Sequence, residues 1–459
     1  MTILFQKKFY THDISSLLKL AIPLILSGLV ESSIGFFSTI FLAHLGHKQL
    51  AAGSIVTWLF ATLMVILWGS LTAISLLVSQ KYGEKNNLGV SAILRDGLLL
   101  SLILVLPTFL LLWNMAPLLL LLGQSHEIVI LATSYLRGLA FGLLPDFIML
   151  VFLQFLIGLG HTKTTMTFIL CWVPIAIFCN YGLVFGRFGF PRLEIAGLGW
   201  GMTLSYWITT AWLVLYVSTQ KKYRFYIKNI FSKQPLLIKE ILKIGIPMGA
   251  MYSIEIGFFL VLSLLMGRIS NQVLAANQIA LQYLGQLMSM IFALAQAVSV
   301  RMGQALGANN PLLAERTTYA GMTLAFSFIF LVALFIWIFP EKFISLDLNI
   351  ADPQNTIVVH YATIFLMVSA LFQLFECIRI TLFGSLRALK DTHFTLFISI
   401  ISFWLIALPL GYSLSYTILG SVGYWWGMVL GTSCSALLLW MRFKFKMKKY
   451  HLIHESPKK

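Results

Sequence analysis

The stretch Ile241–Ile256, ILKIGIPMGAMYSIEI, decides the architecture. It places Glu255 inside an apolar run, eight residues after Pro247. The same layout occurs near the start of the chain. Leu17–Pro23 reads LLKLAIP against ILKIGIP at Ile241–Pro247, and Glu31 again follows its proline, Pro23, by eight residues. A carboxylate at the centre of a bilayer costs about 2.5–3.5 kcal/mol on insertion scales. Two of them at matching places point to a duplicated chain organised around its buried acids.

Working outward, a shift of 224 residues superposes much of the first half on the second. Lys19, Ile22, Pro23 and Glu31 fall on Lys243, Ile246, Pro247 and Glu255, and Leu50-Ala51-Ala52 falls on Leu274-Ala275-Ala276. Gln80, Gly83 and Asn86 fall on Gln304, Gly307 and Asn310, and Gly97 on Gly321. The later spans need a small gap, after which Leu159 and Thr162 pair with Leu389 and Thr392, and Gly197 and Gly201 with Gly423 and Gly427.

The composition fits a membrane setting. Of 459 residues, 59% are hydrophobic and only 10% charged, where soluble domains carry about 25% charged residues. The apolar residues form long runs that predict twelve spans, near 17–42, 52–80, 92–113, 128–156, 164–187, 195–219, 239–267, 274–304, 315–338, 356–384, 393–415 and 419–442. The first apolar run is too long for a signal-peptide h-region and is read as a retained span. The expectation is therefore an all-α polytopic membrane protein. It would have twelve transmembrane helices in two six-helix pseudo-symmetric bundles around a central cleft, related by an axis along the membrane normal. The bundles are placed at 1–219 and 239–442, with a basic cytoplasmic linker at 220–238 and a basic cytoplasmic tail at 443–459.

The net charge of +16 follows topology rather than a nucleic-acid patch. One side of the membrane receives Lys7, Lys8, Lys81, Lys85, Lys163, the linker cations, Arg301, Arg316, Arg387, Lys390 and the tail, including Lys458 and Lys459. The other receives Lys48, Arg187, Arg192, Arg268 and Lys342. That bias puts both termini and the linker in the cytoplasm, and the tail reads as a solvated stop against anionic headgroups. Cys171, Cys179, Cys377 and Cys434 all lie in spans and read as small core residues without disulfides.

Four acids lie deep in the spans: Glu31, Asp146, Glu255 and Glu376. Asp96 and Glu127 are placed at the interface. A buried acid is either a hydrogen-bonded strut or a functional group. A carboxylate alternating between dry and wet surroundings binds and releases a proton, and with further oxygen ligands it holds Na⁺. Arg379 lies three residues after Glu376, so the two can pair along one helix face. Asp146 follows Pro145 and reads equally well as a cap on a proline-broken turn. No phosphate-binding Gly-rich loop, H-E-x-x-H or histidine–acid pair is present in the sequence, which argues against an enzyme or an ATP-driven pump. Tyr283, Met288 and Met290 are candidate lining residues for flat cationic ligands.

On AIPLILSGLVESSIGFFSTIFLAHLG at 21–46, VLAANQIALQ at 273–282, the paired Gln80-x-x-Gly83 and Gln304-x-x-Gly307, and GSLRALKDT at 384–392, the chain resembles the multidrug and toxic compound extrusion (MATE) family, NorM-like branch. The resemblance implies a V-shaped cleft and antiport, with organic cations or drug-like compounds leaving as H⁺ or Na⁺ enters. It further implies no cofactor and a monomer in the lipid bilayer of the bacterial inner membrane. The family's seventh-helix glutamate falls on Glu255, and its tenth-helix acid, usually aspartate in this branch, on Glu376. These would be the coupling and cation-recognition carboxylates, and the metal ligands if Na⁺ is the coupling ion. The tyrosine one turn earlier is Phe372 here, which removes an oxygen ligand. The first-helix aspartate falls on Ser38, and the fifth-helix asparagine and aspartate fall on Asn180 and Val184. The first-half site has thus lost both acids, and Glu31, two turns from Ser38 on nearly the same face, is the candidate substitute. The rival readings are a flippase for a lipid-linked precursor, which needs cationic cleft residues, and a membrane-embedded enzyme.

Overall fold

The computed structural model describes the backbone of residues 2–455 and the side chains of 13–452. Lys7, Lys8, Lys458 and Lys459 of the charge bias therefore lie outside the described side chains. Among the described residues there are helices and no strand. In chain order they are α1 (Thr2–Leu45), α2 (His47–Gly83), α3 (Asn87–Trp113), α4 (Ala116–Leu121), α5 (His126–Ala140), α6 (Leu143–Gly158), α7 (Thr162–Phe185) and α8 (Ile195–Thr219). There follow α9 (Lys221–Lys228), α10 (Ile238–Ile269), α11 (Asn271–Gly307), α12 (Pro311–Ile338), α13 (Pro340–Ile344), α14 (Thr356–Ala388), α15 (Thr392–Ile400), α16 (Leu408–Ser415) and α17 (Val422–Glu455).

Among the described residues ten helical segments are individually long and apolar enough to cross a membrane. An eleventh span is made by α5 and α6 together, bent by 50°. The bend sits at Phe141-Gly142, and Pro145, which has no N–H to donate, lies in the first turn of the restarted helix. The helix α8 is 25 residues long, enough to span about 30 Å of hydrocarbon. It carries Trp200, Tyr206, Trp207, Trp212 and Tyr216 among threonines and glycines. It is not among the segments apolar enough to count, so the described residues give ten spans, or eleven with the bent pair, against the twelve expected.

The repeat is legible in the turns. Asn86 and Asn310, equivalent at the 224-residue shift, cap α3 and α12 alike: Asn86 Oδ1 accepts from Gly89 N at 2.8 Å and Asn310 Oδ1 from Leu313 N at 3.0 Å. The residue before each cap adopts the same left-handed conformation, φ 57° at Lys85 and 54° at Asn309. After the gap, Gly160 and Lys390 form a second such pair, at φ 84° and 58°.

The helices gather into two compact units, one made of Met1–Ile25 with Ala250–Lys459 and the other of Leu26–Gly249. The boundary runs through α1 and α10 rather than through the linker at 220–238, in each case two residues past the proline of the repeat. Within Leu26–Gly249, the start of α10 lies on α2 backbone to backbone. A Cβ on Gly245 would stand 2.3 Å from the Ser70 carbonyl oxygen, and one on Gly249 would stand 2.5 Å from that of Ile66. Lipid-facing helices gain nothing from hydrophobic exclusion of one another, so such close approach of small residues supplies the packing energy.

Two segments are packed against the helices. Asp96 is fully buried within the protein. It pairs with Arg95 at 2.7 Å and accepts the Leu237 N–H, while Arg95 Nη1 donates to the Ser232 carbonyl at 3.1 Å. Together they strap the linker onto α3. The tail keeps Lys444, Lys448 and Lys449 exposed, and another face of it packs on the bundle. Its Lys-, Arg- and Met-rich sequence favours helix and α17 runs on to Glu455. Phe443 and Met447 are buried, and Arg442 and Lys446 reach Asp391 at 2.8 and 3.2 Å. Glu127 is exposed and pairs with Lys48 at 2.6 Å.

Two tests follow from this packing. Gly249→Leu forces a side chain into the α2 backbone, and overpacking of this kind costs about 1–3 kcal/mol or more. The variant should lose its monodisperse peak in detergent size exclusion, and a wild-type profile would contradict the packing. The second concerns His161, in the turn before α7, whose ring stands 5.4 Å from Tyr223. Burial, with Lys222 nearby, pushes its imidazole down to about 4. The unfolded chain, at about 6.5, takes up the proton first, so this group's contribution to stability is lost as pH falls from about 6.5 to about 4. His161→Gln should flatten the pH dependence of thermal unfolding in that window, whereas an unchanged slope would show that the ring does not govern it.

Candidate functional site

In the unit containing Ala250–Lys459, α10 and α14 bring three charges together. Arg379 is 1% exposed, Glu376 0% and Glu255 4%. One turn of α14 separates Glu376 from Arg379, and the guanidinium folds back as a fork: Nε donates to Glu376 Oε2 at 2.8 Å and Nη2 to Oε1 at 2.5 Å. Its third nitrogen, Nη1, lies 2.8 Å from Glu255 Oε1 and donates to Ser399 Oγ at 3.3 Å. The pairing of Glu376 with Arg379 is thus as the spacing allows, and Glu255 joins it.

The next span shapes the floor of this cluster. Between α15 and α16 the chain widens into a π-helical turn over Ile401–Ala407, just before Pro409, which cannot donate back to the preceding turn. The turn puts Phe403 under the guanidinium, 5.1 Å from ring centre to Cζ, and lets Trp404 Nε1 donate to the Ile254 carbonyl at 3.2 Å. Two side chains at the cluster lack full hydrogen bonding. Glu255 Oε1 has its ion pair but no aligned donor, and Gln373 Oε1, one turn before Glu376 and buried, has no partner. Phe372 is wholly buried beside it and offers no oxygen.

In the unit Leu26–Gly249 a different pair of acids stands on α1 and α6. Asp146 is buried, and its Oδ2 accepts from Trp68 Nε1 at 2.9 Å. The cap position of α6 belongs to Gly142, so Asp146 is not the cap of the broken turn. Glu31 is exposed on α1, and the two carboxylates lie within electrostatic reach of each other and of Tyr206. Tyr206 itself stacks on Trp172 at 5.4 Å.

The repeat relates the two pairs. The offset of 230 that matches Thr162 with Thr392 also matches Asp146 with Glu376, just as 224 matches Glu31 with Glu255. At the place of Arg379 the first half has Met149, which is buried. Both halves therefore carry the acid pair, and only the second carries the arginine. The sequence held this signal in the gapped offset.

The remaining candidates are placed as follows. Ser38 is half-buried on α1. Asn180 is buried with Oδ1 unpartnered, packed so closely on α8 that a Cβ at Gly201 would lie 2.3 Å from that atom. Tyr283 is engaged by the segment between α12 and α14, its hydroxyl shared between the Phe343 carbonyl at 2.8 Å and Asp347 Oδ2 at 3.0 Å. Met288 is buried and Met290 half-buried on α11.

Comparison with known proteins agrees with this architecture. The MatE family profile matches residues 23–182 and 247–413. A probable multidrug resistance protein NorM of Pseudomonas aeruginosa is 32% identical over 437 residues, covering 95% of this chain and 90% of that protein. One of Burkholderia mallei is 32% identical over 430 residues, covering 93% and 92%. Among solved structures, a MATE in complex with MaL6 superposes with a TM-score of 0.86 at 19% identity over 96% of this chain and 97% of that one. An outward-facing multidrug resistance MATE family transporter of the MOP superfamily gives 0.85 at 19% identity over 96% and 97%. With the family profile spanning both halves and relatives above 30% identity along nearly the whole length, this chain belongs to the MatE family, in its NorM-like branch.

Proposed function

We propose that the chain is a secondary active transporter that exports organic cationic or drug-like compounds by antiport with H⁺ or Na⁺, using alternating access between its two halves. The observation that carries this reading is the presence of ionisable groups, Asp146, Glu255 and Glu376, buried in otherwise apolar spans and repeated in both halves. Such groups are expensive in a membrane and mark ion or substrate pathways. The family supports it too, since the relatives are named as multidrug resistance proteins. The halves at 1–219 and 239–442 are the moving bodies in this reading. The cation bias sets both termini and the linker in the cytoplasm of a bacterial inner membrane, with the protein acting as a monomer. A lipid-phosphate flippase is disfavoured by the state of the mid-span bases: Arg379 is buried and committed to two carboxylates, and Arg137, which is exposed, lies against the Trp113 ring at 5.1 Å.

Glu255 and Glu376 are the coupling carboxylates of the second half, and Glu31 with Asp146 those of the first. Glu255→Gln keeps the shape of the side chain and removes its charge. Ethidium export from cells should then fall to the level of cells lacking the protein, with the protein still in the membrane fraction, and wild-type export by the variant would refute the assignment. In proteoliposomes, an imposed ΔpH or ΔNa⁺ should each be tested alone. Export driven by one of them is the expected result, and export driven by neither would overturn antiport.

A further inference from the structure

Among the described residues no three acidic, histidine or cysteine side chains converge as a metal site. A Na⁺ in the second half would therefore rely on Glu255, Glu376 and neutral oxygens, since a small hard cation takes oxygen donors. The residues present do not fit it. The space between the two carboxylates is filled by the Arg379 guanidinium, with three nitrogens within 2.8 Å of carboxylate oxygens. Of the neutral oxygens, Ser399 Oγ already accepts from Arg379 and Phe372 has none to give. Gln373 Oε1, one turn before Glu376, is without a partner and would be a single neutral ligand. Displacing the guanidinium would strand a buried charge, because its remaining surroundings are Ser399 and the face of Phe403. The repeat supplies an internal comparison: the first half has the same acid pair with Met149 in place of the arginine.

We propose that Arg379 is the resident counter-cation of the Glu255–Glu376 pair and bars a metal ion from it. The second-half site is thereby closed to Na⁺ by a side chain of the chain itself. Arg379 acts as an ion-selectivity determinant that works through the two carboxylates. The inference rests on the antiport reading for its functional meaning, but its test does not depend on transport.

The test is a Na⁺ titration of the purified full-length protein in detergent, read as the thermal unfolding midpoint with choline chloride holding ionic strength and pH fixed. Wild type should show no saturable Na⁺-specific shift. Arg379→Gln and Arg379→Met, which free the oxygens, should gain one of about 2–4 °C at saturation. Arg379→Lys, which keeps the charge, should behave as wild type, a distinction that a merely structural role for Arg379 would not produce. A saturable Na⁺ shift in wild type, or folded Gln and Met variants blind to Na⁺, would overturn the proposal. If the single variants do not fold, the Glu376→Gln, Arg379→Gln pair, which loses one charge of each sign, enters the same titration with the same two outcomes. Should neither gradient drive export in proteoliposomes, antiport fails while the titration still decides the role of Arg379.

Discussion

A guanidinium cannot be left bare among apolar helices, and much of the second unit is arranged around that constraint. Arg379 takes a bidentate carboxylate from its own helix, a second carboxylate from α10, a hydroxyl from α15 and an aromatic face from the π-helical turn. Each partner alone would leave the charge under-compensated, and removing one partner of such a buried pair costs about 3–5 kcal/mol. The turn over Ile401–Ala407 then has a physical reason to persist. It delivers Phe403 to the cation and Trp404 to the α10 backbone beside Glu255, so an irregular segment pins the helix that carries the acid.

The two halves share geometry more faithfully than chemistry. Equivalent asparagines cap equivalent helices, and left-handed residues recur at equivalent turns even where one is glycine and its counterpart lysine. The carboxylates recur as well. What differs is their company: Trp68 and Tyr206 around the first pair, Arg379 and Phe403 around the second. A duplicated scaffold has kept its backbone while its electrostatics diverged.

Much of this was legible in the residues. The long apolar runs gave the helices, the ungapped repeat gave Glu31 and Glu255, and the three-residue spacing gave the pairing of Glu376 with Arg379. The equivalence of Asp146 with Glu376 was missed because it appears only after the gap, and Asp146 next to Pro145 invited a local explanation. The burial of Asp96 was missed because its partner, the linker backbone near Leu237, is remote in sequence. The reach of Arg379 to Glu255 joins different helices and has no local signature. Periodicity records which face of a helix is apolar, and it is silent on which charges from separate helices meet.

The C-terminal helix has a practical bearing on how this protein is engineered. Its last turns carry a run of basic residues that invites trimming or replacement by an affinity tag. Yet Phe443 and Met447 are buried, Arg442 and Lys446 neutralise Asp391, and Tyr450 donates to the Leu306 carbonyl at 3.3 Å. A shortened version ending at the last apolar span would keep every membrane crossing and still uncover an acid and an apolar socket at the bundle's end. Tags and fusion partners belong beyond this helix, not in its place.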